Sequence, residues 1–172
     1  MPDFSLENDF EGPVCGLDEV GRGPLAGPVV AACVYIPDEL RALPFVCEIR
    51  DSKALSEKRL AALYERITGH FVWAVAEKSP AEIDEINILQ ASLRAMEEAF
   101  LLISSRLSET NGGSFPNMLD QRSLDFARDD NKEWYALVDG NKLPPGLPCP
   151  AMAVVKGDDK SVSIAAASIV AK

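Results

Sequence analysis

The stretch VCGLDEVGRGPLAGPVVAACVYI, residues 14–36, decides how this chain folds. It carries two apolar runs around a break. Val14 to Leu17 is short and apolar, as a buried strand requires. Val29 to Ile36 is continuous, rich in β-branched residues and closed by Pro37, and it reads as a second strand. Gly21, Gly23, Pro24, Gly27 and Pro28 form the turn between them, so the two runs read as a hairpin-like pair. Asp18 and Glu19 stand where the first run meets that turn.

Downstream, Ser56 can cap a helix whose apolar face is Leu60, Leu63, Tyr64 and Ile67, with Gly69 as its stop. Phe71 to Ala76 reads as a third strand. Ser79-Pro80-Ala81-Glu82 has capping-box spacing with proline in the first helical position. Leu89, Leu93, Met96, Phe100, Ile103 and Leu107 then repeat along one face of a long amphipathic helix. Residues 108–134 are polar and net acidic and read as a long excursion. Ala136 to Val138 gives a strand, Asp139-Gly140-Asn141 a turn, Met152 to Val155 another strand, and Ser161 to Lys172 a helix rich in small residues. An early hairpin followed by alternating helices and strands implies α/β architecture with a mixed sheet in one domain spanning residues 1–172.

At 172 residues with 47% hydrophobic content, the chain can bury a real core and is not disordered throughout. No apolar run approaches the ~20 residues of a membrane span. The acidic start (Asp3, Glu7, Asp9, Glu11) is unlike a signal peptide. Cys15, Cys33, Cys47 and Cys149 contain no CxxC pair, and only His70 could join them, which argues against a zinc site or a redox pair. Scattered thiols without export signals read as reduced and cytoplasmic. The net charge of −10 excludes coating nucleic acid by bulk charge. The balance is uneven: residues 1–135 carry 13 basic and 24 acidic side chains, and residues 136–172 carry four lysines and three aspartates. A polyanion would therefore be gripped locally, or through bound cations.

Two carboxylates directly after an apolar strand can be no more than a strand ending in water. Neighbouring strand residues point to opposite faces, so Asp18 and Glu19 share a ligand only where the strand distorts; otherwise Glu19 can offer its backbone carbonyl. Gly21-Arg22-Gly23 matches a dinucleotide fingerprint poorly, because Pro24 stands where the helix should begin. A glycine-flanked arginine does suit close backbone approach to a phosphate or sugar. Asp139 repeats the strand-then-carboxylate layout, although Asp-Gly is also a common turn. If Asp18 and Asp139 lie on neighbouring strands, the oxygen-rich pocket they form with Glu19 favours a hard cation, Mg2+ or Mn2+, and phosphoryl chemistry. Asp51-Ser52-Lys53 and Lys156-Gly157-Asp158 place lysines near element ends but decide nothing alone. His70 reads as structural.

Six strings, GLDEVGRGPLAGPVV, DSKALS, INILQAS, LVDGN, AMAVVKGD and SIAAASIVAK, together closely resemble ribonuclease HII in order and spacing, over residues 13–107 and 136–172. The resemblance implies an RNase H-like fold with a five-stranded mixed sheet flanked by helices. It implies hydrolysis of the RNA strand of RNA–DNA hybrids and nicking on the 5′ side of a ribonucleotide embedded in a DNA duplex, by a monomer using two Mg2+ or Mn2+ ions. By motif, Asp18, Glu19 and Asp139 correspond to three of the family's four catalytic metal-site acids. Gly21, Arg22 and Gly23 correspond to the element that reads the ribose 2′-hydroxyl, and Lys53 to a phosphate contact. In the family the long helix passes quickly to LVDGN, so 108–134 reads as an inserted loop. The fourth aspartate and the helices that follow it would lie beyond Lys172. An alternative is therefore a catalytically incomplete fragment that binds metal or nucleic acid without efficient cleavage, with the small apolar residues of its last helix lacking cover.

Overall fold

A computed structural model describes residues 1–23, 27–50, 52–108 and 133–172. The strands are β1 (Val14–Val20), β2 (Val29–Tyr35), β3 (Val72–Lys78), β4 (Tyr135–Asp139) and β5 (Ala151–Val154). The helices are α1 (Glu57–His70), α2 (Pro80–Ile86), α3 (Ile88–Ser108) and α4 (Val162–Ala171). One five-stranded sheet has the order β3-β2-β1-β4-β5. The hairpin expected from residues 14–36 is present: β1 and β2 pair antiparallel from Cys15↔Tyr35 to Val20↔Val30, and β3 continues antiparallel on β2. On its other edge β1 pairs in parallel with β4, and β4 with β5.

The sheet is covered on both faces, and strand alternation sorts the side chains. Cys15 and Leu17 join Ala95, Met96, Ala99, Phe100 and Ile103 of α3 in one core. Leu63 and Ile67 of α1 pack with Ala165, Ala166 and Ile169 of α4 in a second core on the opposite face. Gly16 explains how tightly α4 sits: a Cβ there would lie 2.1 Å from the Ser163 carbonyl carbon. The small residues of α4 match that absent side chain, and helix backbone rests on strand backbone.

Several local expectations need correcting. Ser56 precedes α1 in extended conformation, but its side chain makes no capping bond, and α1 continues through Gly69 to His70 before the buried Phe71 leads into β3. The Ser79 capping box is present. The long helix, however, starts at Ile88, because Asn87 breaks the path with φ +69° and its Oδ1 accepts from the Gln90 amide (3.1 Å) at the start of α3. The last helix is not short of cover: every residue from Val162 to Ala171 is buried. Most of the expected inserted loop, 109–132, lies outside the described residues. At its edges, Ser108 belongs to α3, and Trp134 packs edge-on against Tyr35 with ring centroids 5.0 Å apart. Among the described residues, no helix is long and apolar enough to cross a membrane.

Candidate active site

Parallel pairing of β1 with β4 ends at Leu17↔Val138, so the next residues, Asp18 and Asp139, emerge side by side at one end of the sheet. Alternation places both on the α4 face, as Gly16 and Leu137 are. Asp18 is 6% exposed. Its pKa is pushed up to about 7, mainly by burial and next by the Asp139 charge beside it. Two contacts act the other way and favour the carboxylate. The Ser168 hydroxyl of α4 lies against it, and the Glu19 amide donates to its Oδ1 at 2.7 Å.

Asp139 is held separately. Its Oδ1 accepts from the Gly157 amide at 2.7 Å. Lys156 precedes that glycine in the left-handed region, φ +55°, and turns the amide toward the carboxylate. A Cβ on Gly157 would lie 2.5 Å from Ile164 Cδ1 and 3.1 Å from Asp139 Oδ1, so any side chain there would push Ile164 aside and crowd the carboxylate.

Glu19 points to the other face. Its Oε1 accepts from Arg22 Nη1 at 2.8 Å, and its Oε2 is buried with no hydrogen-bond partner among the described residues. With Arg22, Ser92, Asp139, Asn141 and Lys142 it lines a small cleft between α3 and the end of β4. The structure thus sets Asp18 beside Asp139 on one side of the sheet, while Glu19, from the other side of β1, shares a cleft with Asp139 and its charge also reaches Asp18. Among the described residues, no three His, Cys, Asp or Glu side chains are grouped closely enough to hold a metal ion. The donors do fit a hard cation. All are oxygens, one is a buried acceptor lacking a donor, and the repulsion between Asp18 and Asp139 is what a bound cation would relieve.

The two glycines flanking Arg22 differ. Gly21 has φ +94°, and a Cβ on it would meet the Pro28 carbonyl oxygen at 2.4 Å, so the turn itself requires glycine. At Gly23 a Cβ would meet nothing within 4 Å among the described residues, so its bare backbone stands open to an approaching ligand. Lys53 is exposed on the Ser52–Ala54 turn. The buried Ser52 on that turn lies 2.9 Å, hydroxyl to hydroxyl, from Ser168. Reasoning from the sequence missed Ser52, Ser168, Gly157, Asn141 and Lys142. The available signal for Ser168 was a hydroxyl inside an otherwise apolar run, SIAAASIVAK; for Asn141 and Lys142 it was their position directly after Asp139-Gly140.

A family model described as ribonuclease HII matches residues 15–111. A ribonuclease HII of Paramagnetospirillum magneticum is 42% identical over 172 residues, which are the whole of this chain and 72% of that protein. One from Rhodospirillum rubrum is 48% identical over 176 residues, covering the whole of this chain and 67% of that protein. In the structure of the PCNA:RNase HII complex from Archaeoglobus fulgidus, a chain 28% identical superposes with a TM-score of 0.60, covering 92% of this chain and 70% of that one. The paired carboxylates at the meeting of β1 and β4, the shared sheet and these whole-chain identities agree: the chain belongs to the ribonuclease HII family of endoribonucleases.

Proposed function

We propose that this chain hydrolyses the RNA strand of RNA–DNA hybrids and nicks duplex DNA on the 5′ side of an embedded ribonucleotide, with Mg2+ or Mn2+ held by Asp18, Asp139 and Glu19. The observation that carries this reading is the pairing of Asp18 with Asp139, whose mutual repulsion makes the end of β1 and β4 a site for positive charge. When bound, the ions would activate the attacking water and neutralise the leaving 3′-oxygen. The chain's own residues do the rest. The Glu19 and Gly157 amides fix one oxygen each of Asp18 and Asp139, leaving the other oxygens to face a cation. Glu19 joins by turning its unpartnered Oε2, or by offering its carbonyl. The open backbone at Gly23 admits the ribose, and Arg22 and Lys53 contact phosphates.

The lack, among the described residues, of three potential ligand side chains grouped around one point favours a second reading, in which the chain holds one cation well and cleaves poorly. One experiment addresses both. Mn2+ binding is followed by electron paramagnetic resonance, alongside cleavage of a duplex with a single ribonucleotide, in the wild type, Asp139→Asn and Gly23→Ala. The proposal expects Asp139→Asn to weaken Mn2+ binding at least tenfold and abolish cleavage. It expects Gly23→Ala to bind Mn2+ normally while losing preference for the ribonucleotide over plain DNA. Unchanged Mn2+ affinity in Asp139→Asn refutes the shared site. Tight binding of one ion with little cleavage by the wild type establishes the second reading.

A further inference from the structure

Ser168 and Ser52 sit 116 positions apart in sequence, yet their hydroxyls meet at 2.9 Å with both residues buried. Ser168 lies on α4, a helix buried on all sides, where a hydroxyl without partners would be costly. Ser52 lies on the short turn that also carries Lys53. The Ser168 hydroxyl lies against the Asp18 carboxylate as well.

The chemistry of the pair sets its direction. A hydroxyl has one proton, and an ionised carboxylate can only accept. With Asp18 ionised, as a bound cation would keep it, Ser168 donates to Asp18 and Ser52 then donates to Ser168. Hydrogen bonds in such a row polarise one another, and one to a charged acceptor is stronger than a neutral one.

We propose that Ser168 is a positioning residue for Asp18, and that Ser52 holds it in that role, so that the Lys53 turn and the carboxylate form one hydrogen-bonded unit. The inference rests on the reading that Asp18 binds the cation. Ser168 is buried and reaches the site through Asp18, whose direction it fixes. Groups that orient a metal-binding carboxylate in this way typically change metal affinity ten- to a hundredfold when removed.

The test uses the whole chain with Ser168→Ala, Ser52→Ala, the double variant, Ser168→Thr and Asp18→Asn. The readouts are the Mn2+ dissociation constant, kcat and KM on the single-ribonucleotide duplex, and the thermal midpoint. Ser168→Ala should weaken Mn2+ binding roughly tenfold and lower kcat with little change in KM. Ser52→Ala should shift both in the same direction by less, and the double variant should match Ser168→Ala. Ser168→Thr, which keeps the hydroxyl, should recover most of the Mn2+ affinity. A Ser168→Ala protein with wild-type Mn2+ affinity overturns the proposal, as does a double variant whose loss is the product of the single losses. Should Ser168→Ala melt below the assay temperature, Ser52→Ala decides: wild-type Mn2+ affinity there overturns the proposal. Asp18→Asn separates the two levels. Wild-type affinity in Asp18→Asn removes the ligand assignment itself, whereas lost affinity there beside intact affinity in both serine variants removes only the positioning role.

Discussion

Asp18 opposes the fold at neutral pH, and the sign follows from its raised pKa. In the unfolded chain it titrates near the ordinary 3.8, and in the folded metal-free protein near 7. The folded state holds the proton more tightly, so its contribution to stability is full below the lower value and is lost as pH rises through the upper one. At about 1.4 kcal/mol per pKa unit, the loss is of the order of 4 kcal/mol at most. Asp18→Asn cannot ionise, so with chelator present it should be more stable than the wild type at pH 8 and close to it at pH 4. Urea unfolding at the two pH values checks this; equal stability gaps would mean that Asp18 is not strained by its neighbours. The placement of Asp18 and Asp139 at neighbouring strand ends was legible because a carboxylate ending an apolar strand is unusual. The alternation that sends Glu19 to the other face was legible too. Ser168 was not, because in a run of alanines a serine looks like one more small residue until the fold brings Ser52 to it.

At the scale of elements, α4 organises the site, and the N-terminal segment anchors α4. Glu7, 1% exposed, accepts from the Ser161 hydroxyl at 2.7 Å and the Ser163 amide at 3.0 Å. It thereby satisfies the Ser163 amide in the first helical turn, where negative charge is favoured, while the Asp3 carbonyl takes the Val162 amide. Ser161 also caps the helix through the Ile164 amide at 3.1 Å. Glu7→Ala leaves that end without its acceptor and should destabilise by about 2 kcal/mol, with Glu7→Gln recovering part because its amide oxygen still accepts. Thermal melts of both variants check this, and a Glu7→Ala protein as stable as the wild type would show that Ser161 suffices. The strands and the Ser79 capping box could be read from periodicity and turn chemistry, whereas Ser56 stands at its helix start without capping it. The break at Asn87 could not be so read, since the apolar spacing runs on past it and only the left-handed backbone interrupts the helix. The burial of α4 was hidden for a related reason: what covers it is Glu7, β1 and α1, brought together only by tertiary packing.

For the whole molecule, the net charge of −10 sets how a polyanion is met. Among the described residues, Arg22 and Lys142 line the cleft, Lys53 stands on the neighbouring turn and Lys156 precedes the glycine that holds Asp139. About three phosphate contacts give a slope of log affinity against log salt of roughly −3. Duplex binding should therefore be weak without divalent ions, strengthen when Ca2+ is supplied, and respond only mildly to added salt. Fluorescence anisotropy across roughly 50 to 200 mM salt measures this, and a slope steeper than about −6 would reveal a broader basic surface. The sheet order has one more outcome, concerning time rather than space. β1 finds its antiparallel neighbour β2 nearby in sequence, but its parallel partner β4 only across a long separation, and contacts of long separation are the slower to form. The carboxylate pair therefore closes only once Tyr135–Asp139 has docked on β1, so the step that completes the sheet is also the step that assembles the site.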